Sequence, residues 1–304
     1  WVANFLPGVG SEIGAHLVEH EDVDIVAFTG SAETGAEVLR RGSIVQPGQR
    51  FIRKMIVEMG GKNAIIVDDD ADVDGALQAV IESTFAYAGQ KCSSCSRLIL
   101  LDAIHDSFCK RLREAAESVT IGPAEEPAAF VGPVIDEAAR NRIRHYVELG
   151  KRESKGLIEG SLPKGCEEGF FVPPVIFVDV PPNSRMAQEE ILGPILCVFR
   201  ARDFDEAIRL ANQTRFALTG GLFSRSPAHM DQARREFAVG NLYINRKITG
   251  SQVDAQPFGG FRLSGTGVKA GSPDYLLHFM DARCVTENTL RSGFVPTESP
   301  SKVT

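Results

Sequence analysis

The 304-residue chain has no apolar run approaching the ~20 residues of a membrane-spanning helix, and no charged-then-apolar leader. Basic excess is also missing. Lys and Arg number 33 against 40 Asp and Glu, so the formal charge is −7 and no surface suits nucleic acid. Six cysteines, at Cys92, Cys95, Cys109, Cys166, Cys197 and Cys284, are too sparse and irregular for a disulfide framework, which points to a reducing, cytoplasmic setting. There is no internal repeat and no low-complexity segment. What remains is a soluble, acidic globular protein: 43% hydrophobic residues in a chain of this length supply one large core or two ordinary ones. The chain opens on Trp1 rather than Met, within what reads as a strand approach, and this reads as the C-terminal part of something longer.

The chemistry concentrates between Glu58 and Arg97. A carboxylate at Glu58 and a thiol at Cys92, separated by a strand and a helix, are placed to meet across a cleft as base and nucleophile. A free thiol is only a few per cent ionised at neutral pH, so such a site needs help, and Lys91 beside Cys92 is one source of it. An inert buried thiol is the competing reading for Cys92. Cys92 and Cys95 also have the spacing of half a zinc site or a redox dithiol, yet no second Cys pair or His cluster stands near them in sequence, and no metal is expected.

Around this stretch the chain alternates strand and helix. Gly8, Gly10 and Gly14 approximate a dinucleotide fingerprint, but Pro7 spoils the strand that should precede it, leaving a glycine-rich turn into a helix. A run ending at Thr29 turns through Gly30 and Ser31 into a helix containing Gly35; strand, turn and helix there make either an anion cradle or an ordinary connection. Strands are expected at Lys54 to Glu58 and Asn63 to Val67. Asp70, Asp72 and Asp74 imitate a calcium loop that fails at Ile81, where a Glu should stand, and apolar spacing from Val73 to Ala88 predicts a capped helix instead. Further strands at Arg97 to Leu101, Val175 to Asp179, Ile195 to Phe199, Leu218 to Phe223 and Asn241 to Asn245, with helices between them, predict an α/β fold with a mainly parallel sheet. A last strand is expected at Val285 to Leu290. Two loops, Glu189 to Pro194 and Gln256 to Gly260, carry paired acids and an exposed aromatic; a solvated charge pair and a packed turn aromatic are the plainer readings.

Taken together, Phe28-Thr-Gly-Ser31 with Gly35, Glu58-Met-Gly-Gly-Lys62, Gly89-Gln-Lys-Cys92, Glu190-Ile-Leu-Gly-Pro194, Asn245 and Pro257-Phe-Gly-Gly260 with Ser264-Gly265 resemble the aldehyde dehydrogenase superfamily along nearly the whole chain. Within it, Gly89 to Arg97, Asn241 to Arg246 with Thr249-Gly250, Gln256 to Gly260, Ser264 to Gly267 and Lys269 to Gly271 look most like the glutamate γ-semialdehyde (1-pyrroline-5-carboxylate) dehydrogenases of proline catabolism. The tail Val285 to Arg291 looks like them too, including the bifunctional proline utilisation proteins.

The resemblance implies a partial Rossmann-type cofactor domain over residues 1–60, a catalytic domain over 61–256, and a return segment with oligomerisation strand and frayed tail over 257–304. It makes Cys92 the nucleophile, giving a thiohemiacetal and, after hydride transfer to NAD or NADP, a thioester that water activated by Glu58 hydrolyses. Gly10, Gly30, Ser31, Gly35, Glu190 and Leu192 would meet the cofactor, Leu192 standing where the family commonly has Phe; Ser272 likewise replaces a common Gly before Pro273. Ser93, Gly250 and Ser251 would anchor the substrate carboxylate, with Phe258 over its aliphatic part. A small aldehyde substrate and, for the whole protein, a homo-oligomer are the implied partners. The oxyanion-hole Asn and the selector between NAD and NADP would lie upstream of Trp1, so the 304-residue piece alone is expected to bind cofactor poorly and to be nearly inactive. A succinic semialdehyde dehydrogenase, a cofactor-independent Cys/Glu thiol esterase and a non-catalytic oligomerisation module are the competing functions.

Overall fold

The computed structural model describes residues 2–154 and 156–289. After a π-helical turn at Gly10–Gly14 come α1 (Ala15–Glu19), β1 (Ile25–Thr29), α2 (Ala32–Gly42) and β2 (Lys54–Glu58). Strands β1 and β2 form a two-stranded parallel sheet in which Thr29 stands opposite Glu58. Then follow β3 (Asn63–Val67), α3 (Val73–Phe85), β4 (Cys95–Leu101), α4 (Asp102–Glu117), α5 (Glu137–Glu153), β5 (Gly156–Glu159), β6 (Val175–Val178), α6 (Arg185–Gln188), β7 (Ile195–Ala201), α7 (Phe204–Asn212), β8 (Phe216–Ala217), β9 (Thr219–Phe223), α8 (Pro227–Glu236), β10 (Asn241–Ile244) and β11 (Phe261–Arg262).

The large sheet has the order β10-β9-β3-β4-β7-β6-β5, parallel except for β5, which pairs antiparallel at the edge. Every residue of β3 and β9 is buried. Their unbroken apolar runs suit strands covered on both faces, and each fully buried Ile or Leu stabilises by about 1.5–3 kcal/mol. Helix starts are fixed by short polar side chains. Ser31, Asp72, Asp136, Ser184, Asp203 and Ser226 each accept the N–H of the residue three further on, about 1 kcal/mol apiece. Asp72 is thus the cap of α3 and not a calcium ligand, and Asp70 accepts the Arg225 N–H at 2.8 Å and the Ser224 hydroxyl at 3.2 Å. Among the described residues no helix is long and apolar enough to cross a membrane.

One expectation needs correction. The helix predicted to run to Ala88 stops at Phe85, because Tyr87 and Ala88 adopt φ of 61° and 53° and break the ladder. Residues 285–289 pair with no strand of this chain and Val285 is exposed; the strand expected there is one that pairs with another subunit, and Leu290 falls outside the described residues. Short elements without periodicity, α6, β11 and the 3-10 turn Pro273–Phe279, carry no sequence signal and appear only in the structure.

Arg97 is the largest wholly buried side chain. Its guanidinium donates to the Ala211 carbonyl at 3.1 Å and to that of Leu210, at the end of α7, and lies 5.3 Å from the Phe199 ring centroid. It satisfies the orphan carbonyls of a helix C-terminus, where a positive charge is favoured. Arg97→Ala strands the Ala211 carbonyl, leaves that of Leu210 with only the Gln213 N–H at 3.3 Å, and opens a cavity, so we expect a loss of about 3–5 kcal/mol in urea unfolding. A loss below about 1 kcal/mol would mean that the α7 terminus is satisfied by other means.

Candidate active site

Glu58 ends β2 at the carboxyl edge of the small sheet, and after four intervening residues Asn63 begins β3 at the amino edge of the large one. The Met59–Lys62 link therefore joins two sheet ends, and the site forms at that junction. The segment 264–266 runs antiparallel along β2, with Met59 N–H to the Ser264 carbonyl at 2.9 Å and Thr266 N–H to that of Val57 at 3.0 Å. These bonds hold the backbone of Glu58 from the side opposite β1. Its carboxylate points into a half-buried space lined by glycines: a Cβ on Gly259 would stand 2.9 Å, and one on Gly265 3.2 Å, from Oε1. Oε2 accepts the Gly260 N–H at 3.4 Å, whereas Oε1 is buried and has no hydrogen-bond partner among the described residues. Burial lifts the pKa from 4.5 to about 7, opposed by the Gly260 bond and the charge of Lys269.

Cys92 lies between the 3-10 turn Ala86–Gly89 and β4. The turn is strained by Tyr87 and Ala88, and Gly89, at φ 69°, packs so close to the Gly193 carbonyl that a Cβ there would collide with it. The loop after the sulfur is fixed by one amide. Asn63 Nδ2 donates to the carbonyls of Cys92 (2.7 Å) and Ser94 (2.8 Å), Asn63 Oδ1 accepts the Thr219 N–H (3.0 Å), and Thr219 Oγ1 donates to the Ser93 carbonyl (3.3 Å). Burial raises the Cys92 pKa, as do the carboxylates of Glu190 and Glu58, against the lowering effect of the Ser93 and Cys92 amides that face the sulfur. Lys91 does not activate the thiol: it is exposed, with its ammonium 5.9 Å from the Tyr87 ring centroid. Cys95 is fully buried and its thiol is pushed up to about 12, which leaves it inert.

Glu190 reaches the same junction. Its Oε1 accepts the Gly61 N–H at 2.8 Å, and any side chain at Gly60 would occupy its carboxylate. Burial raises its pKa. Gly30 and Ser31 open α2, exposed, with the Gly30 N–H on the Glu58 carbonyl at 3.1 Å. The first-turn amides of α2 and its dipole fit a pyrophosphate, and Glu190 fits a sugar hydroxyl. Gly35 is buried, and a Cβ there would meet Met59, so glycine is demanded by helix-to-strand packing. Leu192, half-buried at φ 53°, lines a 640 Å³ cleft with Tyr87, Gln90 and Arg142. Gly10 sits at the start of the N-terminal helical turn with open space where a Cβ would be, and nothing brings it to the junction.

The loop after β10 returns along the last turn of α3, through Lys247 Nζ to Glu82 (2.9 Å) and the Ile248 N–H to Ser83 Oγ (3.2 Å). That turn leads into Cys92, so Gly250, at φ 76°, and Ser251 come back toward the sulfur's end of the sheet. Ser251 Oγ is held by the Tyr243 hydroxyl at 2.5 Å. Ser93 is buried beside Cys92, and Phe258 is fixed by a two-way backbone bridge to Ala270 (2.9 and 2.8 Å).

A model of the aldehyde dehydrogenase family matches residues 1–285. The chain belongs to the aldehyde dehydrogenase family. It is 46% identical to the 1-pyrroline-5-carboxylate dehydrogenase of Geobacillus thermodenitrificans over 286 residues, 94% of this chain and 55% of that protein. The corresponding Bacillus subtilis protein is 45% identical over the same shares. The chain thus spans about half the length of the curated relatives it matches. Among solved structures, proline utilization A from Bdellovibrio bacteriovorus superposes with a TM-score of 0.91 at 52% identity, over 97% of this chain and 30% of that one. A Thermus 1-pyrroline-5-carboxylate dehydrogenase with bound NAD gives 0.88 at 47%, over 91% and 53%. Both family and fold agree with the sequence expectation.

For this aldehyde dehydrogenase chain, the motif reading gives no role to Asn63, Thr219, Asn241 or Lys269, which hold the loops in place. Asn63 and Asn241 each open a strand, where the buried amide of Asn63 serves three backbone groups and the half-buried amide of Asn241 serves two together with Lys269. Lys62 is also unassigned: its ammonium is buried without a hydrogen-bond partner among the described residues, and burial lowers its pKa to about 8. Glu58 yields a stability prediction. Its folded pKa lies above the unfolded value, so ionisation destabilises: the cost is absent below pH 4.5, grows as pH rises, and is complete above about 7. With screening of a half-buried group, Glu58→Gln should gain about 1–2 kcal/mol at pH 8 and nothing at pH 4. Denaturant unfolding at both pH values checks this, and a gain equal at the two would contradict it.

Proposed function

We propose that this chain carries the nucleophile and base of a glutamate γ-semialdehyde (1-pyrroline-5-carboxylate) dehydrogenase, oxidising the aldehyde to glutamate in proline catabolism. The observation that carries the reading is Glu58: a half-buried carboxyl with a pKa near 7, one oxygen unpartnered, close enough to Cys92 to act on its charge. A base titrating near neutrality with a free oxygen suits the activation of water. The relatives named above supply the substrate class.

Cys92 Sγ, once ionised, adds to the aldehyde carbon. The amide of Cys92 then faces the developing oxyanion, as one donor of the hole. Gly30 and Ser31 at the start of α2 and the Glu190 carboxylate would hold NAD beside Leu192, and NAD would supply the hydride acceptor needed to oxidise the adduct to an acyl-cysteine. Glu58 next takes a proton from water as its oxygen attacks the acyl carbon; the C–S bond breaks and the acid leaves. With both neighbouring carboxylates charged the resting thiol is held protonated, which keeps Cys92 quiet until a bound cation or a protonated Glu58 relieves the repulsion. For the substrate, the Gly250 and Ser251 amides and the Ser93 hydroxyl bind the α-carboxylate, and Phe258 covers the methylenes. All six cysteines are free thiols, in keeping with a cytoplasmic protein. Exposed Leu276, Leu277, Phe279 and Met280 offer an apolar surface for a homo-oligomer.

The whole protein should prefer glutamate γ-semialdehyde to succinic semialdehyde, which is one carbon shorter and lacks the ammonium. Each donor left unpaired costs about 1–3 kcal/mol, so the preference in kcat/KM should reach at least ~10-fold. Cys92→Ala should abolish both activities. A preference for the shorter aldehyde would overturn the substrate assignment.

A further inference from the structure

Lys269 has no role in the chemistry described so far, yet its ammonium sits at the back of the Glu58 site. It donates to the Gly240 carbonyl at 2.6 Å and to that of Gly259, and approaches Asn241 Oδ1 at 3.3 Å. Asn241 in turn donates to the Pro257 carbonyl (2.8 Å) and accepts the Gly259 N–H (3.2 Å). The next amide, that of Gly260, is the one hydrogen-bond donor to the Glu58 carboxylate among the described residues. One cation therefore clamps the loop that carries that donor, and its charge acts on the same carboxylate.

We propose that Lys269 is the positioning residue of the water-activating step: it pins residues 257–260 so that the Gly260 amide faces Glu58, and its charge favours the ionised carboxylate. The other groups around Glu58 leave it no substitute. From the loop before β4 comes Cys92, whose ionisation would oppose that of Glu58; the β1–α2 turn contributes Gly30; the 257–265 segment contributes glycines. Lys54, on the same strand, is committed to Asp281 at 2.6 Å. Burial raises the Glu58 pKa to about 7, and the Gly260 hydrogen bond and then the Lys269 charge act against that rise. Partial burial of Lys269 lowers its own pKa while Glu58 raises it, as a mutual interaction requires.

The proposal rests on Glu58 as the base, so its test reads the carboxylate directly. In the whole protein labelled with carbon-13 at the Glu carboxyl, the Glu58 resonance is assigned by its loss in Glu58→Gln. Its titration midpoint should rise by about one pH unit in Lys269→Met and stay within a few tenths in Lys269→Arg. Exchange of the Gly259 and Gly260 amides should be at least ~10-fold faster in Lys269→Met than in the parent. Acyl-enzyme hydrolysis, followed with an activated ester, should shift its pH profile by the same amount as the midpoint. If the methionine variant fails to fold, Lys269→Gln, which keeps a donor and removes the charge, should show the raised midpoint. An unmoved Glu58 midpoint in a folded, uncharged variant overturns the proposal, however much stability is lost. Absence of aldehyde oxidation by the parent protein would instead sink the proposed function, and it leaves the carboxylate titration readable.

Discussion

The side-chain amide of Asn63 is the constraint on which the site depends. It stands at the amino end of the central strand and binds the backbone on both sides, Cys92 and Ser94 toward β4 and Thr219 toward β9. Because all three partners are main-chain groups, their identity matters little to the amide but their position matters greatly. The thiol is thereby fixed to the rigid middle of the sheet and not left on a free loop. Reactive geometry must hold to within a fraction of an ångström, and a buried, fully satisfied amide achieves this better than packing of the mobile residues around it.

Electrostatics then set the cost of function. Glu58, Glu190 and Cys92 are gathered where burial disfavours each of their charged forms, and each charge opposes the next. The fold tolerates this because the apolar core under β3, β4, β7 and β9 is large and the helix starts are well capped. Strain at Tyr87, Ala88 and Leu192 belongs to the same expenditure. These left-handed, non-glycine residues flank the thiol and the cleft, where a regular backbone would carry the chain past the site.

Much of this was legible in the sequence, for a physical reason. β2 and β3 were placed residue for residue because each is a short apolar run with sharp polar ends, Lys54 and Glu58 for one, Asn63 and Asp68 for the other. Glu58 and Cys92 were legible because chemistry demands those residue types beside glycines. Lys269 was not, since a lysine in a glycine-rich segment reads as a solvated charge until Gly240 and Gly259 are folded around it. Lys91 misled for the opposite reason: adjacency in sequence placed a charge beside the sulfur, whereas the turn at Tyr87 sends its side chain outward. The strand expected from Val285 is one that would pair with another subunit, and such an edge gains its ladder only beside that partner.

The junction of two sheets explains why the proposed base, Glu58, and the proposed nucleophile, Cys92, come from opposite strand ends. In a single open parallel sheet, ligands gather at the carboxyl ends, where helix starts point. Here the small sheet follows that rule, with Gly30 and Ser31 beyond β1 and Glu58 closing β2. The large sheet inverts it, presenting Asn63, Cys92, Thr219 and Asn241 at the amino ends of β3, β4, β9 and β10. Only four residues, Met59 to Lys62, separate the two ends, too few for a crossover, so the sheets must abut there. Two glycines in that link allow the abutment: Gly60 leaves room for the Glu190 carboxylate, and a Cβ on Gly61 would stand 2.7 Å from the Cys92 carbonyl. A side chain at Gly60 would displace the Glu190 carboxylate and one at Gly61 would press on Asn63 and the Cys92 carbonyl, which makes the short glycine link the element that turns two sheets into one site.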